Sequence, residues 1–473
     1  MTNDLFWPVL AASLAWLAPA GFTLMAAAAA PPERAWQTAL AGLAAVGLAA
    51  LAFFLVGFSL AFGGVGLVYP DVPGFGGLVW EWSALGPEWG PTWGMAGLAG
   101  WALTGPAATP EAYLLFVAHL PWAATATAIP LWALRGRAPA AVVLLSGLLV
   151  GGLAYPLAVN WLWGGGWLAN LGINLNLGHG LVDFAGAGPV HLVGGAVALA
   201  GLLALAPRRA PRPADEPAPL PPAHLPLLAA AGAFFVLAGS VGWHFANPLL
   251  RLESLLPTRG MANALLAATG GVLLPAAYTW FVAGRVDPLM AARGLAAGSV
   301  AGLALGPFVP PWAALLTGAA AGLLLPLVHY LVTETLRVAD DTAVVAVHLL
   351  GAGVGLLAVG LWADGLAGAG WNQTGSAGYL GAVGQGVTGL WPAAGFTSDW
   401  PGQMQAQAVG LAALFLGPFL AGTVALGGAA LAVQGAQGLA RRALPGEPEM
   451  AVGPGDLGAA VALPLSTESS SDG

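Results

Sequence analysis

Eleven apolar stretches, each long enough to cross a bilayer, constrain this chain more than any other feature. They fall at about 5–30, 38–63, 109–132, 138–162, 187–206, 225–247, 261–284, 290–308, 312–334, 341–363 and 404–438. The hydrocarbon core of a membrane asks for about 20 such residues per helix. Charge between them is scarce: Asp, Glu, Lys and Arg make up 7% of the 473 residues, against roughly 25% in a soluble domain. A chain so poor in charge cannot cover a water-facing surface, so lipid is its solvent. The expected fold is an all-α polytopic membrane protein of eleven transmembrane helices. The 71 Gly and 38 Pro sit inside the apolar runs. There, small residues let helices approach and neighbouring helices satisfy the groups that Pro frees. The chain has no Cys, which excludes disulfides, thiolate metal ligands and thiol chemistry. Met1 to Asp4 lacks a basic n-region, so the first stretch reads as a helix that is retained.

An odd number of spans places the termini on opposite sides, and the basic residues choose between the two orientations. All 13 are Arg. With the N-terminus outside, the cytoplasmic loops and helix ends hold Arg34, Arg135, Arg137, Arg208, Arg209, Arg212, Arg285, Arg293, Arg337, Arg441 and Arg442. Only Arg251 and Arg259 then lie outside. This vote gives N-out, C-in, in a cell inner (plasma) membrane. The expected organisation is a first five-helix repeat over 1–206, a cytoplasmic linker over 207–224 and a second repeat over 225–363. An outside loop over 364–403, an eleventh helix over 404–446 and a disordered cytoplasmic tail over 447–473 complete it. Residues 64–108 form a further outside segment with Trp80, Trp82, Trp89 and Trp93. These rings suit an interfacial aromatic belt or, functionally, a vestibule wall.

Two segments echo each other across the linker. Asp183 is followed by six residues and then Val190-His191-Leu192-Val193-Gly194; Asp340 is followed by six and then Val347-His348-Leu349-Leu350-Gly351. Matching patterns in two five-helix halves suggest an inverted-topology repeat, since an odd helix count flips the second copy. Read as continuous helix, each His lies about two turns in, roughly 12 Å from its Asp at 1.5 Å per residue. Inversion brings the two imidazoles towards the midplane from opposite sides. Ionisable groups in a membrane are expensive and usually face a pathway, so the symmetric pair His191 and His348 reads as pore-lining. The plain alternative is two helix-packing His bonded to neighbouring carbonyls. A di-His metal site lacks the third and fourth ligands such a site needs, so no metal is expected. His119 and His329 fall within spans without a matching partner, His179 and His224 lie in loops, and His244 suits either an outside cavity or core packing. No nucleophile–base set or cofactor loop is present, so neither an enzyme nor a cofactor is expected, and nothing points to nucleic acid.

These segments resemble the Amt/Rh ammonium transporter family, on the Amt side of it. The resemblance runs along residues 38–438 in order and spacing. It rests on Phe58-Ser59-Leu60-Ala61-Phe62-Gly63, on Asn160-Trp161-Leu162-Trp163-Gly164-Gly165-Gly166, and on Asp183-Phe184-Ala185-Gly186 through Arg208. Gly242-Trp243 with Asn247, Gly284-Arg285 through Gly302, and Val338 to His348 complete it. The resemblance implies a homotrimer in the lipid bilayer with one pore per subunit, an outer site that recruits ammonium, and His191 with His348 as twin pore histidines. It puts Trp163 at the outer mouth, Asp183 as the buried acid beneath, and a PII-type signalling protein at the cytoplasmic face as a partner. Two Phe rings close the mouth in the family. Here Phe245 stands one place early, with Ala246 at the expected position, and either Phe116 or Trp122 supplies the other ring. Leu250 replaces a residue often Ser at the outer site, Asn170 to Gly180 is longer than usual, and Glu447 to Gly473 lacks the family's tail pattern. The resemblance implies recruitment of ammonium, removal of its proton and passage of ammonia. The rival readings are a Rh-like or divergent channel for another small neutral gas, and an ammonium sensor.

Overall fold

The computed structural model describes residues 6–31, 34–90, 92–205, 224–250 and 256–443. Among these are eleven helices long and apolar enough to span a bilayer. They are α1 Trp7–Ala29, α2 Ala35–Val68, α3 Pro110–Leu134, α4 Ala140–Leu162, α5 Ala187–Leu205 and α6 Leu225–Ala246. The second half continues with α7 Thr258–Ala283, α8 Pro288–Leu305, α9 Pro311–Thr335, α10 Val344–Trp362 and α11 Gly402–Gln437. Each expected stretch is a helix, with ends displaced by a few residues. The linker 207–224 and the tail 447–473 lie outside the described residues, apart from the backbone of His224, which opens a helix instead of closing a loop.

Helix starts follow local chemistry. Thr109 caps α3 by accepting from the Ala112 amide, with Pro110 at the first position. Asp287 caps α8 by accepting from Leu289 and Met290, with Pro288 following. Both arrangements satisfy donors that no earlier turn can reach.

Where helices cross, glycine sets the distance. A Cβ on Gly232 of α6 would stand 2.6 Å from the Gly21 carbonyl oxygen of α1, so these two helices touch backbone to backbone. Lipid gives no hydrophobic drive between helices, and close packing of this kind supplies the attraction. The all-α expectation omits one small element: β1 Glu81–Ser83 pairs antiparallel with β2 Gly94–Gly97 in the segment after α2. Asn160 Nδ2 of α4 donates to Glu81 Oε1 at 3.0 Å, which fastens this hairpin to the helix that carries Trp163. Burial pushes the Glu81 carboxyl above its ordinary value, and the Asn160 bond opposes the shift.

Candidate functional site

The site is built where α5 and α10 begin. Ahead of α5 the Asp183 carboxylate accepts from the amides of Gly186, Ala187 and Gly188, at 3.0, 3.0 and 2.6 Å. Ahead of α10 the Asp340 carboxylate accepts from Val344 and Val345, at 2.8 and 3.0 Å. Gly186 and Ala343 occupy the left-handed region, at φ 93° and 55°. Each is followed by one wide π-helical turn, Ala187–Leu192 and Val344–Leu349, before α-helix resumes. The repeat read from eight-residue Asp–His spacings is therefore a repeat of backbone geometry too. It also corrects the expected depth of the histidines. Both Asp stand outside the helices as caps, so His191 and His348 lie about one turn in, not two.

This geometry brings the two imidazoles together. Nδ1 of His191 lies 2.9 Å from Nδ1 of His348. The rings are nearly parallel, 10° apart with centroids separated by 5.0 Å. A hydrogen bond between two Nδ1 atoms needs one donor and one acceptor, so at most one ring carries both protons. Phe22 of α1 packs against both rings, with centroids 5.4 and 5.0 Å away, and Trp243 of α6 packs 5.8 Å from His191. Both histidines are buried, and Nε2 of His191 has no hydrogen-bond partner.

Cavities lie on both sides of the pair. On the side of the loops after α2 and α10, called outer after the expected orientation, a cavity of about 540 Å³ is lined by Tyr69, Trp163, Leu250, Phe308 and Trp371, among others. On the inner side a small cavity of about 20 Å³ touches His348 itself, with Phe22, Trp132, Arg293 and Thr342. The outside loop after α10 walls the outer cavity through Leu366 to Gln373. Trp80, Trp82 and Trp89 are exposed on the hairpin segment and do not line it. Asn372 of the loop donates to the carbonyls of His179 and Leu181, holding the wall to the segment before α5.

Between the outer cavity and the histidines stands a stack of aromatic rings. Trp163 lies 6.1 Å from Trp122, and Trp122 lies 6.0 Å from Trp243 in a stacked arrangement. Trp122 Nε1 donates to the Ala185 carbonyl at 3.0 Å, which ties the ring to the start of α5. Of the two rings considered for the mouth, only Trp122 is in this stack. Phe116 packs elsewhere, stacked on Phe53 at 5.7 Å and edge-on to Phe54 and Phe58. Phe245 is half-buried outside the stack, while Ala246 is buried. Phe22 carries no motif and has no signal in the sequence, while Trp243 and His119 appear there only as part of the family match and as a span histidine without a partner, because their place in the site depends on their neighbours. His244 is a core residue, its Nδ1 2.7 Å from the Ser240 carbonyl and its ring against Phe184. His179 is buried against Tyr379, centroids 4.3 Å apart, and burial pushes its imidazole down to about 4. Among the described residues no group of three or more His, Asp or Glu is placed to hold a metal ion.

The model of the Ammonium Transporter Family matches residues 6–434. The chain belongs to the ammonium transporter family. Ammonium transporter Amt2 of Archaeoglobus fulgidus is 30% identical over 364 residues, covering 76% of this chain and 72% of that one. Ammonium transporter 3 of Dictyostelium discoideum is 26% identical, covering 76% of each. Among solved structures, one titled Sensor Amt Protein superposes with a TM-score of 0.70 at 23% identity, over 90% of this chain and 94% of that one. Mep2 of Candida albicans gives 0.67 at 20%, over 90% and 83%. At those identities the structures establish the ammonium transporter fold and no more.

Proposed function

We propose that this chain carries ammonium nitrogen across a membrane by recruiting the ion in the outer cavity, removing its proton and passing ammonia along His191 and His348. The observation that carries this reading is the 2.9 Å contact between two buried imidazoles, with a cavity on either side. Burying an isolated ammonium ion at low dielectric costs tens of kcal/mol by idealised Born estimates. Losing its proton at pH 7 costs far less: with a lysine-like pKa of about 10.4, about 4.6 kcal/mol. The economical route therefore attracts the cation and conducts the neutral molecule. Trp163, on the wall of the outer cavity, offers an indole face worth roughly 0.5–2 kcal/mol to a cation. Asp183 shapes the site by fixing the start of α5. Trp122 closes the mouth in this reading, and Phe116 and Phe245 do not. Beyond the rings, the shared proton of the histidine pair leaves both an acceptor and a donor for ammonia.

Leu249 and Leu250 in the outer cavity favour a second reading, a channel for a small neutral gas without recruitment of an ion. Ammonium-triggered current and uptake in proteoliposomes decide between them. We expect saturable ammonium uptake in the wild type. His191→Ala should change flux or ion selectivity with the protein still folded, because the surrounding wall is already apolar. Unsaturable uptake that His191→Ala leaves untouched would overturn the reading. The working assembly we propose is a homotrimer in the plasma membrane, its support being family membership, and native mass spectrometry showing only monomers or dimers would refute it. A PII-type protein at the cytoplasmic face belongs to the same proposal, and a pull-down with the detergent-solubilised chain tests it.

A further inference from the structure

A buried charge that the transport reading does not use stands on the inner side of the histidine pair. Arg293, on α8, is 7% exposed and lines the small cavity that touches His348. Its guanidinium donates to two neutral acceptors, the Asp341 carbonyl at 2.5 Å and His329 Nε2 at 3.2 Å. Arginine can only donate, so His329 Nε2 carries a lone pair and that imidazole is uncharged. Three carboxylates act on the guanidinium, those of Asp340, Asp287 and Asp341. Each is engaged elsewhere: Asp340 caps α10, Asp287 caps α8, and Asp341 pairs with Arg137 at 3.0 Å. Among the described residues none of the three is within ion-pair distance of Arg293, and none lines the cavity. The charge that borders the cavity is therefore cationic, with its counter-charges set further off. Trp132 and Thr342 also line the cavity, and Trp132 Nε1 and Thr342 Oγ1 are buried without a hydrogen-bond partner. An indole N–H can only donate, and a hydroxyl can donate or accept.

We propose that Arg293 is a cation filter at the inner end of the path, which leaves the inner cavity open to neutral ammonia and closed to ammonium. This inference rests on the transport reading above and adds a specificity-determining residue to it. A cavity of about 20 Å³ has room for a single water-sized molecule. Ammonia brings a lone pair that a guanidinium, indole or hydroxyl hydrogen can meet. Ammonium has only hydrogens to give, and a wall of donors offers them little. The fixed positive charge adds direct repulsion, which is strong where water is scarce. The two ends of the path therefore suit different species: an indole face at Trp163 attracts the cation, whereas Arg293 repels it. Ammonia that leaves and is protonated in the water beyond cannot return as the ion and occupy the cavity under His348.

The test uses inverted membrane vesicles, whose bath reaches the inner cavity, carrying wild type, Arg293→Met or Arg293→Lys. Ammonia entering the lumen takes up a proton there, so a lumenal pH dye reads the rate above that of vesicles without the protein. Free ammonia in the bath is held fixed while ammonium is raised, by lowering pH and adding ammonium salt together. We expect the wild-type rate to hold. In Arg293→Met, bath ammonium should inhibit, with half-inhibition at a concentration about tenfold below any seen in the wild type. Arg293→Lys keeps the charge and should stay near wild type, and all three proteins meet the same change of pH. A merely structural role would lower thermal stability and rate in both variants without creating sensitivity to ammonium. If Arg293→Met does not fold, Arg293→Gln removes the charge and keeps a donor for the Asp341 carbonyl. Equal sensitivity in wild type and the neutral variant overturns the filter, and so does equal sensitivity in the neutral and Lys variants. If the wild type moves no ammonia in inverted or right-side-out vesicles, the transport reading fails, and the filter with it. If it moves ammonia and the neutral variant matches it at every ammonium concentration, the filter alone fails.

Discussion

At the scale of single residues, the positions that mattered were those where two halves of the chain do the same thing. The Asp–His spacing was legible because both copies keep residue types that physical chemistry makes costly in a membrane. What the spacing could not convey was the left-handed residue and the wide turn between Asp and His, since Gly186 and Ala343 share no side-chain signature. They also differ in what surrounds them. A Cβ on Gly186 would stand 3.0 Å from Trp163 Cη2 and 3.7 Å from Trp122 Nε1. An L side chain at φ 93° is strained as well. Gly186→Ala should therefore cost about 1–3 kcal/mol of stability and press on the Trp163 indole, lowering uptake. Ala343→Gly relieves a left-handed Ala and widens the unfolded ensemble, two effects of similar size and opposite sign, so it should remain close to wild type. Thermal unfolding and uptake, measured on both variants, check the pair; equal behaviour would mean that the two starts are interchangeable.

At the scale of elements, the helices were readable and the outer loops were not. Apolar length alone marks a span, and errors at helix ends came from caps such as Thr109 and Asp287. The hairpin 81–97 and the loop 364–403 carry no comparable periodicity. Their structure is written in side-chain bonds between distant residues, such as Asn372 to the His179 carbonyl and Gln403 Oε1 accepting from the His179 amide. The aromatic content of 64–108 suggested a vestibule wall, yet the later loop supplies more of it. The second outer loop has its own titrating contact. Tyr379 donates to Asp399 at 2.9 Å, and burial holds the Asp399 carboxyl up at about 6 while pushing the Tyr379 phenol further above its ordinary value. The folded loop therefore binds the Asp399 proton more tightly than the unfolded chain does. Its contribution to stability is fully present below pH 3.8, the ordinary value, and is lost as pH rises through about 6, by linkage. Asp399→Asn keeps an acceptor for Tyr379 and removes that titration. Hydrogen exchange of residues 379–399 should show protection in the wild type falling between pH 4 and 6 relative to the Asn variant. Parallel profiles for the two proteins would refute the assignment.

At the scale of the whole molecule, the placement of charge separates the two ends of the bundle. Asp341 lies 3.9 Å from Arg135 and 3.0 Å from Arg137, and Arg293 donates to its carbonyl at 2.5 Å. These groups gather where α3 ends and α10 begins. At the opposite end Arg259, at the start of α7, pairs with Asp364 just beyond α10. The first cluster gathers three arginines, Arg135, Arg137 and Arg293, beside Asp340 and Asp341, whereas Arg259 stands at the opposite end with Asp364. The positive-inside rule counts arginines and lysines close to helix ends and not net charge, so the α3–α4 turn should be cytoplasmic. With α3 ending inside, counting back through α2 and α1 puts the N-terminus outside, and counting forward to α11 puts the C-terminus inside. The outer cavity then opens away from the cytoplasm, as uptake requires, and the small cavity under His348 faces the Arg293 side. Fluorescent-protein fusions at the C-terminus and in the α3–α4 turn should both fold and fluoresce in the cytoplasm. An alkaline phosphatase fusion at the N-terminus should be active on the outside. If both fusion sites of the fluorescent protein are dark and a phosphatase placed there is active, the bundle is inserted the other way. The cavity assigned to recruitment would then face the cytoplasm, and the direction of transport argued from it would reverse.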